Sequence, residues 1–326
     1  MTLLPKNSNG CPTLILAPME GVGDSSFRQA MASVGGFNLA IREFIRVPSN
    51  PHIKSLGKVY DPNETAPYPL SAQLMGQDPE FMAEMAIELE LRGATRLDLN
   101  CGCPSNTVTG KGAGSSLLKD PNLLNKIAKA MVNAVSIPVS LKMRSGYEDT
   151  SLFKENLLAA EESGVKFITL HPRTKAEGYG PPANWDLIAQ AKSILKIPLV
   201  GNGDILTVEN ALKMLKHTNC DALMVGRGSI INPFIFHQIQ AHFSGTTFVP
   251  TWDMLERYFT IFVAGLPPLM PEKNKASKMK QLMGFLFKGS EALLARRQEM
   301  LTSPNNNLSE FLKFAMPIFK ENWLKQ

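Results

Sequence analysis

Three features of the sequence predict a parallel α/β fold, a (β/α)8 barrel, with a small helical bundle after it. Eight short apolar segments recur within about the first 240 residues, and each ends in a polar loop. Segments with helically spaced apolar residues separate them, as crossovers between parallel strands require. After about residue 242 only helical patterns follow.

The start of each predicted strand supports this interpretation. Four strands follow a proline, whose fixed φ and missing N–H suit the first residue of a strand: Pro12, Pro69, Pro138 and Pro198. The other four follow the end of a helix or a turn, where Gly or Asn can take the left-handed conformation: Gly36, Gly93, Gly164 and Asn219.

The connecting segments carry the periodicity of crossover helices. Residues 78–92 place Phe81, Met82, Met85 and Leu89 on one helical face. Residues 120–135, 151–163, 185–195 and 207–217 have similar patterns. Eight strand and helix units of this length match a (β/α)8 barrel, and a doubly wound sheet is the alternative.

The C-terminal part of the chain predicts a separate helical domain. Gly245, Thr246, Thr247 and Pro250 form a linker-like segment, which divides the chain into a barrel of residues 1–244 and a bundle of residues 251–326. Helical patterns cover residues 252–264, 273–288, 290–301 and 309–322.

Composition excludes several classes of protein. With 44% hydrophobic and 19% charged residues, the chain is not disordered. No apolar stretch approaches the roughly 18 residues of a membrane span, and residues 13–17 are too short for a signal-peptide core, so we expect a soluble cytoplasmic protein. The four cysteines lack zinc-ligand spacing, which predicts reduced thiols and no metal site.

The charge is unevenly distributed. Residues 1–250 carry 23 basic and 22 acidic residues, whereas residues 251–326 carry 11 and 7. This basic tail favours a polyanionic partner, and a solvated helical surface is the alternative.

Active sites of (β/α)8 barrels lie at the C-terminal ends of the strands, and here those positions are polar. The loops after strands seven and eight, a common phosphate site in this architecture, are Gly201-Asn-Gly-Asp204 and Gly226-Arg-Gly228. Glycines let backbone N–H groups approach a phosphate, and Arg227 adds a forked cation. Two such loops together favour a phosphorylated ligand over glycines that only shape turns.

Two further residues at strand ends indicate redox and proton chemistry. Lys142, in an apolar strand, is predicted to point into the barrel mouth, where its ammonium needs an acceptor such as the negative N1 and O2 region of a reduced flavin. A structural carboxylate such as Asp98 is the alternative partner. Cys103 follows Asn100 in a turn of Gly and Pro, where a thiol can donate a proton or, if activated, act as a nucleophile.

Together these loops resemble the tRNA-dihydrouridine synthase family, flavoenzymes that reduce uridines in tRNA. The resemblance covers nearly the whole chain, and its most specific part is the Asn-x-Gly-Cys-Pro-Ser piece. In chain order the matching segments are Ala17-Pro-Met-Glu-Gly21, Leu99-Asn-Cys-Gly-Cys-Pro-Ser105, His171-Pro-Arg-Thr-Lys-Ala-Glu-Gly-Tyr179, Gly201-Asn-Gly-Asp204 and Gly226-Arg-Gly228.

The resemblance implies a cofactor, a reductant and a mechanism. FMN would be reduced by NADPH and pass a hydride from N5 to C6 of uracil, while Cys103 protonates C5 as the general acid. The target uridine would be flipped into the barrel mouth, where Asn100 and Tyr179 match uracil-contacting positions. The residues implied in FMN binding are Pro18, Met19, Glu20, Gln73, Lys142, His171, Asn202, Gly203, Asp204, Gly226 and Arg227.

The segment Arg42-Glu-Phe-Ile-Arg-Val47 is similar to that of the bacterial subgroup acting on uridine 16, which implies that Arg46 contacts the target nucleotide. Two positions depart from the family. Asp204 stands where Glu is frequent and keeps a carboxylate, and Pro172 stands where Gly is common and removes an N–H. Basic residues of the tail are predicted to contact tRNA phosphates: Lys278, Lys280, Arg296 and Arg297.

Two other functions remain open from the sequence. An FMN barrel oxidoreductase acting on a small molecule, such as a dihydroorotate-dehydrogenase-like enzyme, would explain Lys142 and the glycine loops but not the basic tail. An RNA-binding protein that has lost catalysis would not need both Cys103 and Lys142. We expect a monomer, since the barrel mouth must admit a tRNA.

Overall fold

The computed structural model describes residue 4 and residues 9–104, 112–304 and 307–323. Ser105, the last residue of the Leu99 motif, lies outside these ranges. Strands of the described residues form one parallel sheet: β1 Thr13–Leu16, β2 Leu39–Ile41, β3 Ile45–Arg46, β4 Leu70–Met75, β5 Leu97–Cys101, β6 Val139–Gly146, β7 Ile168–Thr174, β8 Leu199–Asn202 and β9 Ala222–Val225.

The sheet closes on itself. Its order is β2-β1-β9-β8-β7-β6-β5-β4-β3, and a further pairing of β2 with β4, at Ala40 and Leu70, completes the ring. The two-residue strand β3 continues β2 after a short break and pairs with the end of β4. Counting β2 and β3 as one barrel strand gives eight, so the predicted (β/α)8 barrel is confirmed and the doubly wound alternative is wrong.

Side chains alternate between the two faces of the barrel wall. In β1, Ile15 joins an interior cluster, whereas Leu14 and Leu16 join the larger core under the helices. The interior cluster consists of Ile15, Ala17, Leu39, Ile41, Phe167, Val200, Ala222 and Met224. Apolar side chains therefore fill part of the barrel interior, which also holds the buried pair Asp98 and Ser140, and further polar residues lie at its C-terminal end.

Helices α1 to α9 surround the barrel, and the five crossover helices predicted from periodicity are all present. Asp78, Asp120 and Thr207 cap three of them by accepting backbone N–H groups. The helices are α1 Ser25–Val34, α2 Ile53–Gly57, α3 Pro79–Leu91, α4 Pro121–Ala134, α5 Phe153–Glu162, α6 Asp186–Ile194, α7 Val208–Thr218, α8 Arg227–Ile231 and α9 Ile235–Phe243.

Four more helices follow, close to their predicted bounds: α10 Trp252–Ala264, α11 Glu272–Leu286, α12 Glu291–Leu301 and α13 Leu308–Trp323. The predicted helix over 273–288 ends as an α-helix at Leu286 and continues as the 3-10 turn Phe287–Gly289. No helix within the described ranges is long and apolar enough to cross a membrane.

The C-terminal helices pack directly on the barrel. Helix α10 contacts α1, where the Ser26 hydroxyl donates to the Gly265 carbonyl at 2.9 Å. Helix α11 is joined to the loop after β1, since the Lys278 ammonium lies 2.7 Å from an Asp24 carboxylate oxygen. Buried apolar residues of barrel and bundle belong to one continuous cluster.

Candidate active site

Two adjoining cavities open at the C-terminal end of the barrel strands, with volumes of about 100 and 290 Å³. The smaller cavity, which we call the glycine-loop cavity, is lined by Asn202, Gly203, Asp204 and Gly226 among others. The larger, here the cysteine cavity, contains Gln73, Asn100 and Cys103. Both cavities are bordered by Pro18, Met19, Lys142, His171, Tyr179 and Arg227. The structure thus brings nearly all the predicted cofactor residues together at one end of the barrel.

A chain of hydrogen bonds fixes the backbone at Cys103. The Asn100 side-chain carbonyl accepts from the N–H groups of Gly102 and Cys103, at 3.0 and 2.9 Å. The Asn100 amide donates to Gln73 at 2.8 Å, and Gln73 donates to Asp98 at 2.7 Å. These side chains stand on adjacent strands, and Asn100 is only 7% exposed. Asn100 therefore fixes the backbone that carries the Cys103 thiol. One of the two hydrogens of its side-chain amide is left for a ligand.

Asp98 anchors this chain from inside the barrel. Burial raises the pKa of its carboxyl to about 6, while hydrogen bonds from Ser140 and Gln73 and the charge of Lys142 act against that rise. The two carboxylate oxygens accept from Ser140 and Gln73 at 2.6 and 2.7 Å. Asp98 is therefore a fixed acceptor within the barrel wall.

Lys142 projects from β6 at the boundary of the two cavities. Burial and the nearby Arg144 lower its pKa to about 8, and the charge of Asp98 partly opposes them. In the part of the chain that the structure describes, no carboxylate lies within ion-pair distance of its ammonium. The alternative of a Lys142 held by Asp98 in a direct ion pair is therefore not observed. A buried ammonium in this position suits an anionic or electron-rich ligand.

His171 is an uncharged group beside Lys142. Burial, together with the cations Lys142, Arg144, Arg173 and Arg227, holds its pKa well below the usual range. Its Nε2 lies 3.1 Å from an Arg173 guanidinium nitrogen. Because a guanidinium can only donate, Nε2 accepts and Nδ1 carries the proton. His171 can thus donate a hydrogen bond from Nδ1 into the site.

Asp204 organises the glycine-loop cavity through two arginines. One carboxylate oxygen accepts from Arg173 at 2.6 Å and from the Ala183 N–H at 2.8 Å, and the other accepts from Arg227 at 2.8 Å. Its φ of 54° is a left-handed value that Asp tolerates better than most residues. The carboxylate therefore orients Arg227 toward the cavity.

Gly203 lies on the same loop and packs closely against His171 and Ala183. Its φ is 116°, and a Cβ there would lie 2.9 Å from His171 Cδ2 and 3.1 Å from Ala183 Cβ. Only glycine combines this backbone conformation with such a close approach. Asn202 is held beside it by donating to the Met224 carbonyl at 2.8 Å.

Pro172 is accommodated at an irregularity in the sheet. The pairing of β6 with β7 shifts register between Arg144 and Gly146, so that Arg144 faces His171 and Gly146 faces Thr174. A proline fits such a bulge because the missing N–H interrupts no regular ladder bond. Strand β7 continues through Pro172, and this departure from the family leaves the site intact.

Tyr179 lines both cavities, and its neighbour Arg144 lines the cysteine cavity. The exposed ring of Tyr179 lies 5.1 Å from Arg144 Cζ and 5.4 Å from Arg227 Cζ. Sequence reasoning missed Arg144, which is 1% exposed and donates to the carbonyls of Gly102, Thr174 and Gly178 at 2.8 to 2.9 Å. It joins the loops after β5 and β7. The one available signal was its polarity at the end of an apolar strand.

The outer part of the cysteine cavity is lined by Glu20, Glu43 and Phe44 together with Phe285 of α11. Glu43 is held by the buried Arg28, which also pairs with Glu64. Burial raises the pKa of the Glu43 carboxyl. The charge of this carboxylate is therefore compensated from inside the protein and not by a ligand.

Of the residues predicted to contact tRNA, Asn100 and Tyr179 line the cavities, whereas Arg46 and the four cations of the tail lie outside both. Arg46 stands on β3 opposite Met75. The four cations of the tail all have intramolecular contacts: Lys278 with Asp24, Lys280 with the Ser303 carbonyl, Arg296 with Glu299 and Arg297 with the Gly284 carbonyl. Lys278 therefore joins the bundle to the barrel, whereas the contact of Lys280 lies within the bundle.

The fold and site define an enzyme of the (β/α)8 class in which glycine loops, Arg227, Lys142 and Cys103 line two adjoining cavities at one end of the barrel. The sequence profile of the dihydrouridine synthase family matches residues 15–311. The chain belongs to this family.

Curated relatives agree over most of the chain. The tRNA-dihydrouridine(16) synthase of Neisseria meningitidis serogroup B is 34% identical over 288 residues, which cover 84% of this chain and 86% of the relative. That of Pseudomonas syringae pv. tomato is 37% identical over 284 residues, covering 84% and 90%. A solved structure of a variant of NCR from Zymomonas mobilis has a TM-score of 0.52 at 16% identity and covers 76% of this chain and 90% of its own. This last likeness concerns the fold.

Proposed function

We propose that this protein reduces uridine 16 in the D-loop of tRNA to 5,6-dihydrouridine, with FMN as bound cofactor and NADPH as reductant. The observation that carries the proposal is the placement of Cys103, fixed by Asn100, in the same cavity as the unpaired Lys142. The names of the relatives, tRNA-dihydrouridine(16) synthases, support both the reaction and its position.

The residues present fit FMN. The backbone of Gly203 and Gly226 and the guanidinium of Arg227, which line the glycine-loop cavity, suit its phosphate. Lys142 suits the N1 and O2 edge, where reduction leaves negative charge, and its lack of a carboxylate partner supports that role. Pro18, Met19, Glu20, Gln73, His171, Asn202, Asp204 and Gly226 complete the predicted set. When bound, FMN supplies a hydride to C6 of uracil after it has been reduced by NADPH.

Cys103 donates the proton that completes the reduction at C5. Hydride addition at C6 leaves negative charge that a positioned acid must neutralise. Asn100 holds the Cys103 backbone in place, and Lys142 and Arg144 stand close enough for their charges to interact with the thiol. These cations favour reprotonation of C5 by stabilising the thiolate that is left.

The cysteine cavity suits a flipped uracil. The remaining Asn100 amide hydrogen, Arg144 and Tyr179 offer polar groups to the edges of the base. Arg46, outside the cavity, is left for the nucleotide backbone. The division into a catalytic barrel, residues 1–244, and a tRNA-binding bundle, residues 251–326, remains our proposal, as do a monomeric state and a cytoplasmic location, where tRNA is found.

The test is to delete the gene in its host and to map dihydrouridine across the D-loop at single-nucleotide resolution. Loss confined to position 16 is expected. Loss at another position would keep the reaction and discard the assigned position. If no dihydrouridine is lost at any position, the purified enzyme is assayed with NADPH and a tRNA transcript. An enzyme that oxidises NADPH but leaves the transcript unreduced is better assigned as a small-molecule oxidoreductase.

The Cys103→Ala variant tests the proton donor. It is expected to keep FMN and tRNA affinity, because the thiol anchors neither, while single-turnover uridine reduction slows by about 100-fold or more. Cys11→Ala, which removes a buried thiol far from the cavities, is the control. Normal reduction by Cys103→Ala would remove the residue from its assigned role.

A further inference from the structure

One side chain from the C-terminal helices reaches the cysteine cavity. Phe285 of α11 lines this cavity, whereas the other described residues that line it belong to the barrel part of the chain. Its ring is half-buried and faces the same space as Asn100 and Cys103. The pocket of the barrel is therefore completed by the helical bundle.

The direction of Phe285 follows from the way α11 is anchored at its barrel-facing side. Lys278 and Phe285 are seven residues apart, so they share one face of the helix, about 10 Å apart along its axis. Lys278 binds Asp24 at 2.7 Å and the Gly21 carbonyl at 3.4 Å. The loop containing Gly21 also supplies Met19, Glu20 and Val22 to the cysteine cavity. Two turns further on, the same face presents the Phe285 ring.

Other contacts hold α11 in this orientation. Its inward face, Met279, Leu282, Met283 and Leu286, is buried in the apolar core. The 3-10 turn that follows α11 also packs closely against α8. A Cβ added to Gly289 of this turn would lie 3.3 Å from the Ile231 carbonyl of α8. The ring of Phe285 is therefore held at the mouth by packing along the whole helix.

The cavity combines polar side chains from the barrel strands with an aromatic ring from α11. Gln73, Asn100, Lys142 and Arg144 are the polar side chains, and Phe285 is the ring. A nucleobase has the same combination of chemistry, with polar edges and an apolar face that stacks on aromatic rings. We propose that Phe285 packs against the base of the target uridine and thereby makes the helical bundle part of base recognition. The proposal rests on the proposed function.

The experiment compares two tRNA transcripts that differ only at position 16, one with uridine and one abasic. Their dissociation constants are measured for FMN-loaded wild type and Phe285→Ala. The ratio of abasic to uridine dissociation constants is expected to fall by about 5-fold to 150-fold in the variant, the range of aromatic stacking on one base.

Phe314→Ala is the matched control, because Phe314 is also half-buried in the bundle but does not line the cavity. Phe314→Ala is expected to keep the wild-type ratio of abasic to uridine dissociation constants, with a thermal unfolding midpoint similar to that of Phe285→Ala. If Phe285→Ala does not fold, Phe285→Leu keeps apolar packing without a ring and is expected to reduce the ratio as well.

The outcomes separate the two proposals. An unchanged ratio in a folded Phe285 variant, with wild type converting the uridine transcript, would overturn the role of Phe285 alone. An equal drop in Phe314→Ala would show that the effect comes from general loosening of the bundle, which also overturns it. Failure of wild type to convert the uridine transcript would overturn both proposals.

Discussion

Replacing Asn100 by Ala tests whether a hydrogen-bonded scaffold places the thiol. Asn100 makes three described hydrogen bonds: it accepts from the Gly102 and Cys103 N–H groups and donates to Gln73. Alanine removes all three, and the turn that carries Cys103 keeps its contact with the barrel wall through the Gly102 carbonyl and Arg144. We expect both a loss of stability and a slower reaction, and the two effects have different sizes.

The magnitudes follow from the contacts. Three hydrogen bonds at about 1 kcal/mol each predict a decrease of about 3 kcal/mol in the free energy of unfolding. A displacement of the thiol by about 1 Å would slow the chemical step by about 100-fold. Asn156 provides the comparison, since it is a fully buried residue of α5 and donates one hydrogen bond, to the Leu118 carbonyl at 2.9 Å. Asn156→Ala is expected to lose stability without a change in rate.

Urea unfolding and single-turnover reduction of a tRNA transcript measure the two effects on the same samples. Asn100→Ala is expected to show both losses, and Asn156→Ala only the first. A wild-type rate in Asn100→Ala would refute the idea that this side chain positions Cys103. Equal slowing in both variants would attribute the effect to stability instead.

Three further predictions address the cofactor end and the outer wall. The affinity of the apoprotein for FMN is expected to decrease as pH rises through about 8. The complex favours the charged form of Lys142, whereas in the free protein Lys142 loses its proton near this pH. Fluorescence titration measures the affinity, and Lys142→Gln should show no such pH dependence. Arg28→Met leaves the carboxylates of Glu43 and Glu64 without their cation. Urea unfolding should show a decrease of about 3 to 5 kcal/mol in the free energy of unfolding, and a decrease below about 1 kcal/mol would contradict this pairing. Gly203→Ala should purify with much less flavin, whereas Gly245→Ala, which has the same kind of positive φ but an open surrounding, should retain it.

Local signals made the barrel predictable. Prolines before strands and the left-handed positions at Gly93, Gly164 and Asn219 depend only on backbone sterics, and the last three have φ values of 90°, 91° and 52°. Helix α1 had no such clarity, because its inward face contains the buried Arg28. Only the folded chain supplies the two carboxylates that make this burial tolerable.

The site was predictable where the residue type alone indicates the chemical role. It was less predictable where the role depends on which side chain the residue contacts. Cys103 and Lys142 lie in the same cavity, as expected from their strand ends. Asp204 was expected at the cofactor, and its carboxylate is occupied by Arg173 and Arg227. The contact of Lys278 with Asp24 depends on how the bundle lies against the barrel, which helical periodicity does not encode.

The packing of α10 on α1 limits how this enzyme could be rearranged. Ser26 and Gly265 approach so closely that a Cβ on Gly265 would lie 3.1 Å from Ser26 Cα, and one apolar core runs through both parts. Cutting the chain near residue 250 would expose the surface of a helix that itself covers the barrel. Because the bundle shares its apolar core with the barrel, we expect it to change by substitution in place and not by exchange as an independent module.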